Sequence, residues 1–487
     1  MKNTNNSNSL PLGEMSATGG QRGNHILIIG AGLCGSLLAL RMAQRGYRIT
    51  LMEKRADLRD VHQDAGRSIN LALSNRGLKG IKLVGLEEEV RKLCIPMHGR
   101  MLHDTDGETL FSAYSGRENE YINSISRTDL NIMLLNAADK YDTLQIQFNQ
   151  SCTQVDLAKA TATFTHYHTK EEKTITADII LGADGAGSAV RKSMYMSRDF
   201  LFSFSQDYLG HGYKELTFPP TENGGYRTGK NALHIWPRGR DMIIALPNLD
   251  GSFTVTLFID YEDAPDSFAS LNSPESITEY FTRQYPDAIP MMPELLKDFE
   301  ENPVGPLGTI KCHPWNAFGK VCLLGDACHA IVPFYGQGMN ASFEDVVVFD
   351  ETLEQFGDKG WETVFKEFEK ARKPDTDAIA DLAVDNFHEM KEHTAHPMFQ
   401  EKRKLETAFE KEFPKEYYSK YSLVTFNEYI GYREAMIRGR AQNKAILNLL
   451  DDGKLPDSLS LKAKLKIVQQ ATADILHEDA VLQSTSA

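Results

Sequence analysis

Residues 25–30 (HILIIG) form an unbroken apolar run, the pattern of a parallel strand buried on both faces. Residues 33–45 then carry apolar positions at helical spacing, Gly46 ends them, and residues 48–53 (RITLME) make a second apolar run. The pattern predicts a complete strand–helix–strand unit. Two further short apolar runs, 179–184 (IILGAD) and 321–326 (VCLLGD), end in acidic turns far along the chain. Strands so widely separated predict one parallel sheet interrupted by an insertion. Within it, 233–237 (LHIWP), 242–247 (MIIALP) and 252–260 (SFTVTLFID) are rich in β-branched and aromatic residues. RGRD and NLDG separate them as hairpin-type turns, so this part reads as antiparallel sheet. Beyond Asp345 the texture turns helical: Val346, Phe349, Leu353 and Phe356 recur at helical spacing, and residues 361–445 hold few glycines.

Composition narrows the classes. The chain has 487 residues, more than one ordinary core holds, so two or three domains are expected. Asp and Glu number 67 against 53 Lys and Arg, a formal charge of −14. Such a surface repels phosphate backbones and argues against nucleic acid, although a local Arg can still receive an anionic substrate. Six scattered cysteines with no CxxC pair read as neither a disulfide framework nor a metal site, and suit a reducing cytoplasm. Residues 1–24 are Asn, Ser and Gly rich and read as a disordered leader. The run 26–40 is broken by Gly30, Gly32 and Gly35, unlike a signal sequence. No stretch reaches the ~18 uninterrupted apolar residues of a membrane span, so no transmembrane anchor is expected.

Three motifs carry chemistry. Gly30-Ala31-Gly32-Leu33-Cys34-Gly35 is a GxGxxG between predicted strand and helix. There glycine permits a tight turn, close approach to a pyrophosphate, and packing of helix on strand, while the helix N-terminus favours the anion. Glu53 follows at the end of the next strand, roughly 20 residues on, where a carboxylate accepts bonds from a ribose diol. An acidic residue there disfavours a 2′-phosphate, so the resident ligand is FAD or NAD rather than NADP. The second motif is 182–191 (GADGAGSAVR). The third is Gly325-Asp326-Ala327-Cys328-His329 with Pro333 and then Gly336-Gln337-Gly338-Met339-Asn340. Taken singly, Asp184 or Asp326 also reads as a strand-end cap. The GQGMN turn feeds a helix from Ala341, so the backbone N–H groups of Met339 and Asn340 can face a negatively charged edge of a bound ligand; an ordinary helix N-cap is the other reading of Asn340.

Together the three motifs resemble the fingerprint of single-component flavin aromatic hydroxylases. The stretches 66–77 (GRSINLALSNRG), 85–90, 95–103 (IPMHGRMLH), 233–238 (LHIWPR), 323–345 and 386–390 (NFHEM) resemble the kynurenine 3-monooxygenase family more narrowly, from about His25 to Phe426. The resemblance implies an α/β fold. A Rossmann-type FAD-binding domain would span 25–205 and 303–372, with part of 76–125 contributing to the substrate domain. An antiparallel-sheet substrate domain would span 206–302, and a C-terminal helical region, 373–487, would close the substrate pocket. It implies an enzyme that hydroxylates L-kynurenine to 3-hydroxykynurenine with NADPH and O2 through a flavin C4a-hydroperoxide, in tryptophan breakdown. No second nucleotide-binding unit is apparent, so NADPH would visit a surface groove and leave. Membrane-bound relatives end in an apolar anchor, whereas 440–487 is polar here, so a soluble cytoplasmic form is expected.

By resemblance, FAD contacts fall on Gly30, Gly32, Cys34, Gly35, Glu53, Lys54, Arg55, Ala72, Arg127, Cys152 by its backbone, Asp184, Asp326, Gly338, Met339 and Asn340. Substrate contacts fall on Arg100, Tyr114, Asn386 and Tyr421, and Phe334 and Tyr335 would shape the ring pocket. Pattern supports these unequally. His98, Arg100 and Leu102 share one face of an extended segment, and by pattern alone Arg100 reads as a solvated surface residue. Asn386 sits on an apolar stripe with Ile379, Leu382, Ala383 and Phe387, and a buried amide needs a partner. Tyr114 and Tyr421 look like any core tyrosine. No side-chain general base is expected, because an aniline already donates electrons to its ortho carbon. His329 then reads as a neighbour of the GD turn and His211 as a turn residue in HGY. Two alternatives stay open: a flavin hydroxylase of a phenol or benzoate, and a non-catalytic flavin sensor. Oligomeric state, monomer or dimer, is open as well.

Overall fold

The computed structural model describes residues 24–60, 70–262, 264–390 and 397–485. All but the last residue of the leader 1–24 lies outside them, as do residues 66–69 of the GRSINLALSNRG stretch.

The widely separated apolar runs lie side by side. His25–Ile29 pairs in parallel with Ile179–Gly182 on one side and Arg48–Met52 on the other, through Ile26↔Ile179 and Ile26↔Ile49. Val321–Leu323 pairs in parallel with Ile179–Gly182, and Leu144–Gln147 with Arg48–Met52. A short antiparallel strand, Asn316–Ala317, completes six. Parallel neighbours end at the same edge, so the GAG, GAD and GD turns leave one rim of this sheet. The helix Leu33–Gln44 packs on Arg48–Met52, Arg127–Ala138 and Gly338–Phe356, closing a core of Ile26, Leu38, Leu51, Leu134, Leu181, Val346 and Phe349.

A seven-stranded sheet forms the second layer, in the order Gly305–His313, Ser203–Phe218, Phe253–Asp260, Asp241–Pro247, Leu233–Arg238, Gly99–His103, Thr109–Ala113. The two predicted hairpins are present, with Gly239 at φ +74° and Gly251 at φ +89° in their turns. Only the junction of Leu233–Arg238 with Gly99–His103 is parallel. Alternation gives this sheet two apolar faces. Trp236, Ile243 and Leu257 pack on one side with Tyr280, Phe281 and Tyr285. Ile235, Met242 and Phe258 pack on the other with Phe334 and Phe387.

Several elements differ from the pattern reading. Gly305–His313, inside the segment 303–372 ascribed to the parallel-sheet unit, lies in the antiparallel sheet because it pairs with Ser203–Phe218. His211 is not a turn residue but an interior position of that 16-residue strand. The strand escaped notice because its first six residues are exposed and show no apolar alternation. Two small sheets were also unforeseen: Asn70–Leu73, Ile122–Ser126 and Cys94–Met97, and the meander Gln150–Asp156, Thr161–His166, Glu172–Thr176. After the helix Gly338–Phe356 come Trp361–His388, Pro397–Glu412, Lys420–Thr425, Tyr432–Asp451 and Leu461–Thr485. No helix among the described residues is long and apolar enough to cross a membrane.

Candidate active site

The first motif makes a cradle. Gly30 has φ +102°, and a Cβ there would lie 2.4 Å from the Ala183 carbonyl oxygen. A Cβ on Gly35 would lie 1.9 Å from the Gly30 oxygen, so that glycine lets the helix touch the strand. Gly32 is different: its φ is an ordinary −69°, and a Cβ would meet nothing within 4 Å. No protein atom needs that glycine; the space beside it suits a ligand. Gly32 caps the helix without a side-chain bond, so first-turn N–H groups have no acceptor within the helix. Glu53 accepts the Ala31 N–H at 2.8 Å and the Arg55 N–H and Nε–H at 3.0 and 2.9 Å. Burial pushes its carboxyl up, but Arg55 and these donors outweigh burial and hold it below the ordinary range. Lys54 is exposed beside it. Gln150–Asp156 is tied to this turn by the Gln150 N–H, 2.8 Å from the Glu53 carbonyl. That strand carries Cys152, whose thiol is pushed to about 12 by burial and by Asp184.

The second and third motifs close around the same rim. Asp184 accepts the Ser188 hydroxyl at 2.5 Å and the Ala189 N–H at 2.6 Å, so its carboxylate caps the helix Ala189–Met196. Asp326 is the one exposed residue in the otherwise buried run 321–330. Although the residue is open to solvent, the protein crowded around its carboxyl group pushes it up by desolvation, while His329 and the exposed Arg127 pull it down. Gly325, at φ +61°, lies against Cys34: an added Cβ would stand 3.0 Å from the Cys34 sulfur. The helix that follows the GQG turn begins at Gly338, three residues before the expected Ala341, and no side chain caps it. The first-turn N–H groups of Gly338, Met339 and Asn340 therefore point out of the helix end. Asn340 is not an N-cap. Its Nδ2 donates to the Ala72 and Gly336 carbonyls, both at 2.8 Å, and its Oδ1 accepts the Ser74 N–H at 2.9 Å. Two uncapped helix ends, the open space at Gly32 and an exposed Asp326 on one rim fit FAD.

A separate cavity opens beside the GQG turn. Arg100, Tyr114, Asn386, Tyr421 and Tyr335 all line it. Arg100 is thus not a solvated surface residue. Its strand lies between two others, and its guanidinium sits 5.0 Å from the Tyr421 ring and 5.7 Å from Tyr114. Tyr421 stacks between Tyr114 and Tyr335, with centroids 5.2 and 5.5 Å apart and planes within 9° and 14°. Arg100 Nε and the Tyr114 and Tyr335 hydroxyls are enclosed with no hydrogen-bond partner. Buried polar groups rarely stay unpartnered, so three orphans on one wall mark a place for a polar ligand. Asn386 is 2% exposed, and its Nδ2 donates to the Phe334 carbonyl at 2.6 Å. The Phe334 ring packs behind the wall, 4.5 Å from Phe387 and 5.0 Å from Phe258.

The cavity also holds charges that pattern reading missed: Glu389, Lys402, Arg403, Glu406 and Lys420. Glu389 was within reach, being one helical turn from Asn386 on the same face. Lys402, Arg403 and Glu406 sit on a polar helix and Lys420 opens the short buried helix Lys420–Thr425, none of them with a local mark. Lys420 Nζ lies 2.7 Å from Glu389, and Lys402 3.3 Å from Glu406. Burial pushes the Glu389 carboxyl up, but Lys420, Lys402 and Arg100 overcome it and bring it to about 2.

Neither tempting histidine lines the cavity. His329 Nε2 lies 2.5 Å from Asp345 Oδ2, which also takes the Gly325 N–H at 2.9 Å, so the pair braces the GD turn. Cys328, His329 and Asp345 place ligand-type atoms within 4.8 Å of one another, but Asp345 is already occupied by these bonds and by Arg372. His211 lies 3.1 Å from the Arg240 carbonyl and 3.4 Å from Asp260.

Comparison with known proteins agrees with this geometry. The FAD binding domain family matches residues 24–383. Kynurenine 3-monooxygenase of Myxococcus xanthus is 42% identical over 94% of this chain and 98% of its own length. That of Dictyostelium discoideum is 43% identical over 88% and 93%. Among solved structures, 2-methyl-3-hydroxypyridine-5-carboxylic acid oxygenase aligns over 80% of this chain and 96% of its own at TM-score 0.62 and 21% identity. Pseudomonas putida p-nitrophenol 4-monooxygenase aligns over 81% and 96% at TM-score 0.63 and 17% identity, likenesses that speak for the fold. With the flavin cradle, the aromatic cavity and these relatives in agreement, the chain belongs to the kynurenine 3-monooxygenase family of FAD-dependent aromatic monooxygenases.

Proposed function

We propose that the chain hydroxylates L-kynurenine at the ring carbon ortho to its amino group, giving 3-hydroxykynurenine at the expense of NADPH and O2. The observation that carries this reading is the cavity wall where Arg100 Nε and two tyrosine hydroxyls wait without partners. Bound FAD supplies hydride acceptance from NADPH and activation of O2; the rest falls to the chain. Glu53 would take the ribose of the adenosine, Asp326 the ribityl chain, and the first-turn N–H groups of Met339 and Asn340 the pyrimidine edge.

L-Kynurenine is an amino acid on an aniline ring, and each part has a counterpart. The Arg100 fork suits the carboxylate, with the Tyr114 hydroxyl beside it. Glu389, held ionised by its lysines, suits the ammonium group. Asn386 has its nitrogen committed to Phe334, so its oxygen is the atom it can offer a ligand N–H. Tyr335, one residue before the GQG turn, sets the distance between substrate ring and flavin. The apolar ring of Phe334, Phe387 and Phe258 behind this wall keeps water out. The aniline nitrogen itself enriches the ortho carbon, so the reaction needs no side-chain base. In this reading the parallel-sheet unit holds FAD, the seven-stranded sheet floors the substrate cavity, and helices beyond residue 373 close it. The six free cysteines suit a reducing cytoplasm.

The test is product identification with FAD-loaded enzyme, NADPH and L-kynurenine under air, run beside hydroxybenzoates. Hydroxykynurenine formed only with kynurenine supports the reading. Hydroxylated benzoates in its place, or yellow protein whose NADPH oxidation no substrate stimulates, would overturn it.

A further inference from the structure

The face of the seven-stranded sheet turned away from the cavity holds a buried hydrogen-bond chain that the proposed chemistry does not use. His103, at the end of Gly99–His103, places Nε2 2.9 Å from Nδ1 of His234 and Nδ1 3.2 Å from Oδ2 of Asp287. His234 Nε2 lies 2.7 Å from the Gly229 carbonyl oxygen. Asp287 Oδ2 also accepts the Trp236 indole N–H at 2.7 Å, and the His103 ring stacks on that indole at 3.9 Å. Both imidazoles are buried.

The protons of such a chain can be counted. It has three contacts, and it ends on a carbonyl and a carboxylate, neither of which brings a proton. Each hydrogen bond needs one, so three are required. Two neutral imidazoles carry two between them, whichever tautomers they adopt. The third has to be added. We propose that His103, His234 and Asp287 together hold one proton more than two neutral imidazoles and a carboxylate, and that this proton locks the strand carrying Arg100. Where along the chain it rests does not alter the count. Without it, two acceptors face each other at one contact, and that contact opens.

The lock has something to hold. Gly99–His103 pairs with Leu233–Arg238 through Arg100, Met101 and Leu102 alone. Its other neighbour, Thr109–Ala113, is the outermost strand and largely exposed. On the Leu233–Arg238 side the end of the strand is therefore held by side chains, namely the histidine chain and Arg238, which donates to the His103 and Asp104 carbonyls at 3.0 and 2.9 Å. The one strand pairing of His103, His103↔Thr109, is to that exposed edge strand. Successive side chains alternate across a sheet, so His103 anchors one face while Arg100 serves the other. Burial opposes the added proton at both rings, holding His103 below the ordinary imidazole range and bringing His234 to about 4, and Arg238 opposes it at His103 too. Asp287 and Asp104 favour it at His103, the Gly229 carbonyl favours it at His234, and the three contacts have no other donor to fill them. None of the three lines the cavity. They are positioning residues.

FAD-loaded enzyme labelled with 15N-histidine and 13C-aspartate tests the count. At pH 7 the two rings and the Asp287 carboxyl, read together from their 15N and 13C shifts, should carry three protons, falling to two ring N–H protons in Asp287→Asn, whose amide brings its own donor. Two in the wild type, rings and carboxyl together, would overturn the proposal. A kinetic arm rests on the substrate reading above. As pH rises and the proton leaves, KM for kynurenine should climb about fivefold at steady kcat, the worth of one hydrogen bond, while Asp287→Asn stays flat. Matched profiles with normal product would overturn the lock and leave the substrate reading standing; absence of product would strike the substrate reading alone, with the proton count still deciding this one.

Discussion

Replacing Gly32 with Ala separates a glycine kept for the fold from one kept for a ligand. The backbone at Gly32 has φ −69° and ψ −178°, which any residue adopts, and the new methyl would meet no atom within 4 Å. Losing glycine's freedom in the unfolded chain favours the variant by ~0.4–1 kcal/mol. Placing Ala at a helix N-cap costs a similar few tenths to 1 kcal/mol. The apoprotein should therefore melt within a few degrees of wild type. FAD meets a different surface. A methyl beneath the pyrophosphate acts as overpacking, ~1–3 kcal/mol, which weakens FAD about 5- to 150-fold. The control is Gly35→Ala, whose Cβ would stand 1.9 Å from the Gly30 oxygen and should destabilise the apoprotein itself. Thermal melts of flavin-stripped protein and titration of flavin fluorescence measure both quantities. Wild-type affinity for FAD in Gly32→Ala would mean that the pyrophosphate does not cross this glycine, and the cradle would have to lie elsewhere.

Arg100→Met should raise KM for kynurenine about 100-fold with FAD content unchanged, since truncating one partner of an enclosed charge pair costs roughly 2–5 kcal/mol; steady-state kinetics showing less than a threefold rise would refute the assignment. Asn386→Ala frees the Phe334 carbonyl and should shift the bound-flavin absorbance as well as KM; a change in KM alone would show that wall and flavin turn move independently. Glutamine at His329 or His211 should retain turnover, and lost hydroxylation with normal FAD reduction would identify the base whose absence the reaction assumes. Glu389 has its folded-state carboxyl at about 2, below its unfolded value, so its contribution is complete above about pH 4.3 and fades as pH falls toward 2. Melts between pH 5 and 3 should therefore fall more steeply for wild type than for Glu389→Gln, and parallel falls would refute the coupling.

What was legible in the sequence follows from the range of the signals. The parallel core could be read because strands buried on both faces leave uninterrupted apolar runs, and because Gly35 answers to a steric demand within the first turn, where Gly30 sits at φ +102°. The two hairpins of the second sheet carry their turns in adjacent residues. Ser203–Phe218 was invisible because half of it is exposed and pairs with a strand some hundred positions away. The same holds for the cavity. Arg100 looked like a surface residue because its environment is made by Tyr421 and Tyr335, which no local pattern joins to it. Lys402 and Glu406 lie on a polar helix and Lys420 at the start of a short buried one, and only tertiary packing tells an ion pair in a cavity from one in solvent. Asn386 was the exception: an amide on an apolar stripe announces a buried partner, and the partner is the Phe334 carbonyl.

That partner shows how the proposed flavin site and substrate cavity, built on different elements, would act as one device. The three residues Phe334, Tyr335 and Gly336 are gripped from two helices by two buried amides. Asn386 takes the Phe334 carbonyl from Trp361–His388, and Asn340 takes the Gly336 carbonyl from Gly338–Phe356 while its other bonds hold the strand Asn70–Leu73. Tyr335 stands between the two grips, its ring against Tyr421 in the cavity. Gly336, at φ +66°, turns the chain into the helix end whose N–H groups face the cofactor rim. A shift of the flavin turn would carry Tyr335 with it, and a shift of Tyr335 would strain a bond to one of two enclosed amides, each costly to leave unmade. On the proposed reading, the separation between substrate ring and flavin would be set by backbone held on both sides rather than by a flexible side chain. An oxygen transfer that depends on placement rather than on a base requires that rigidity.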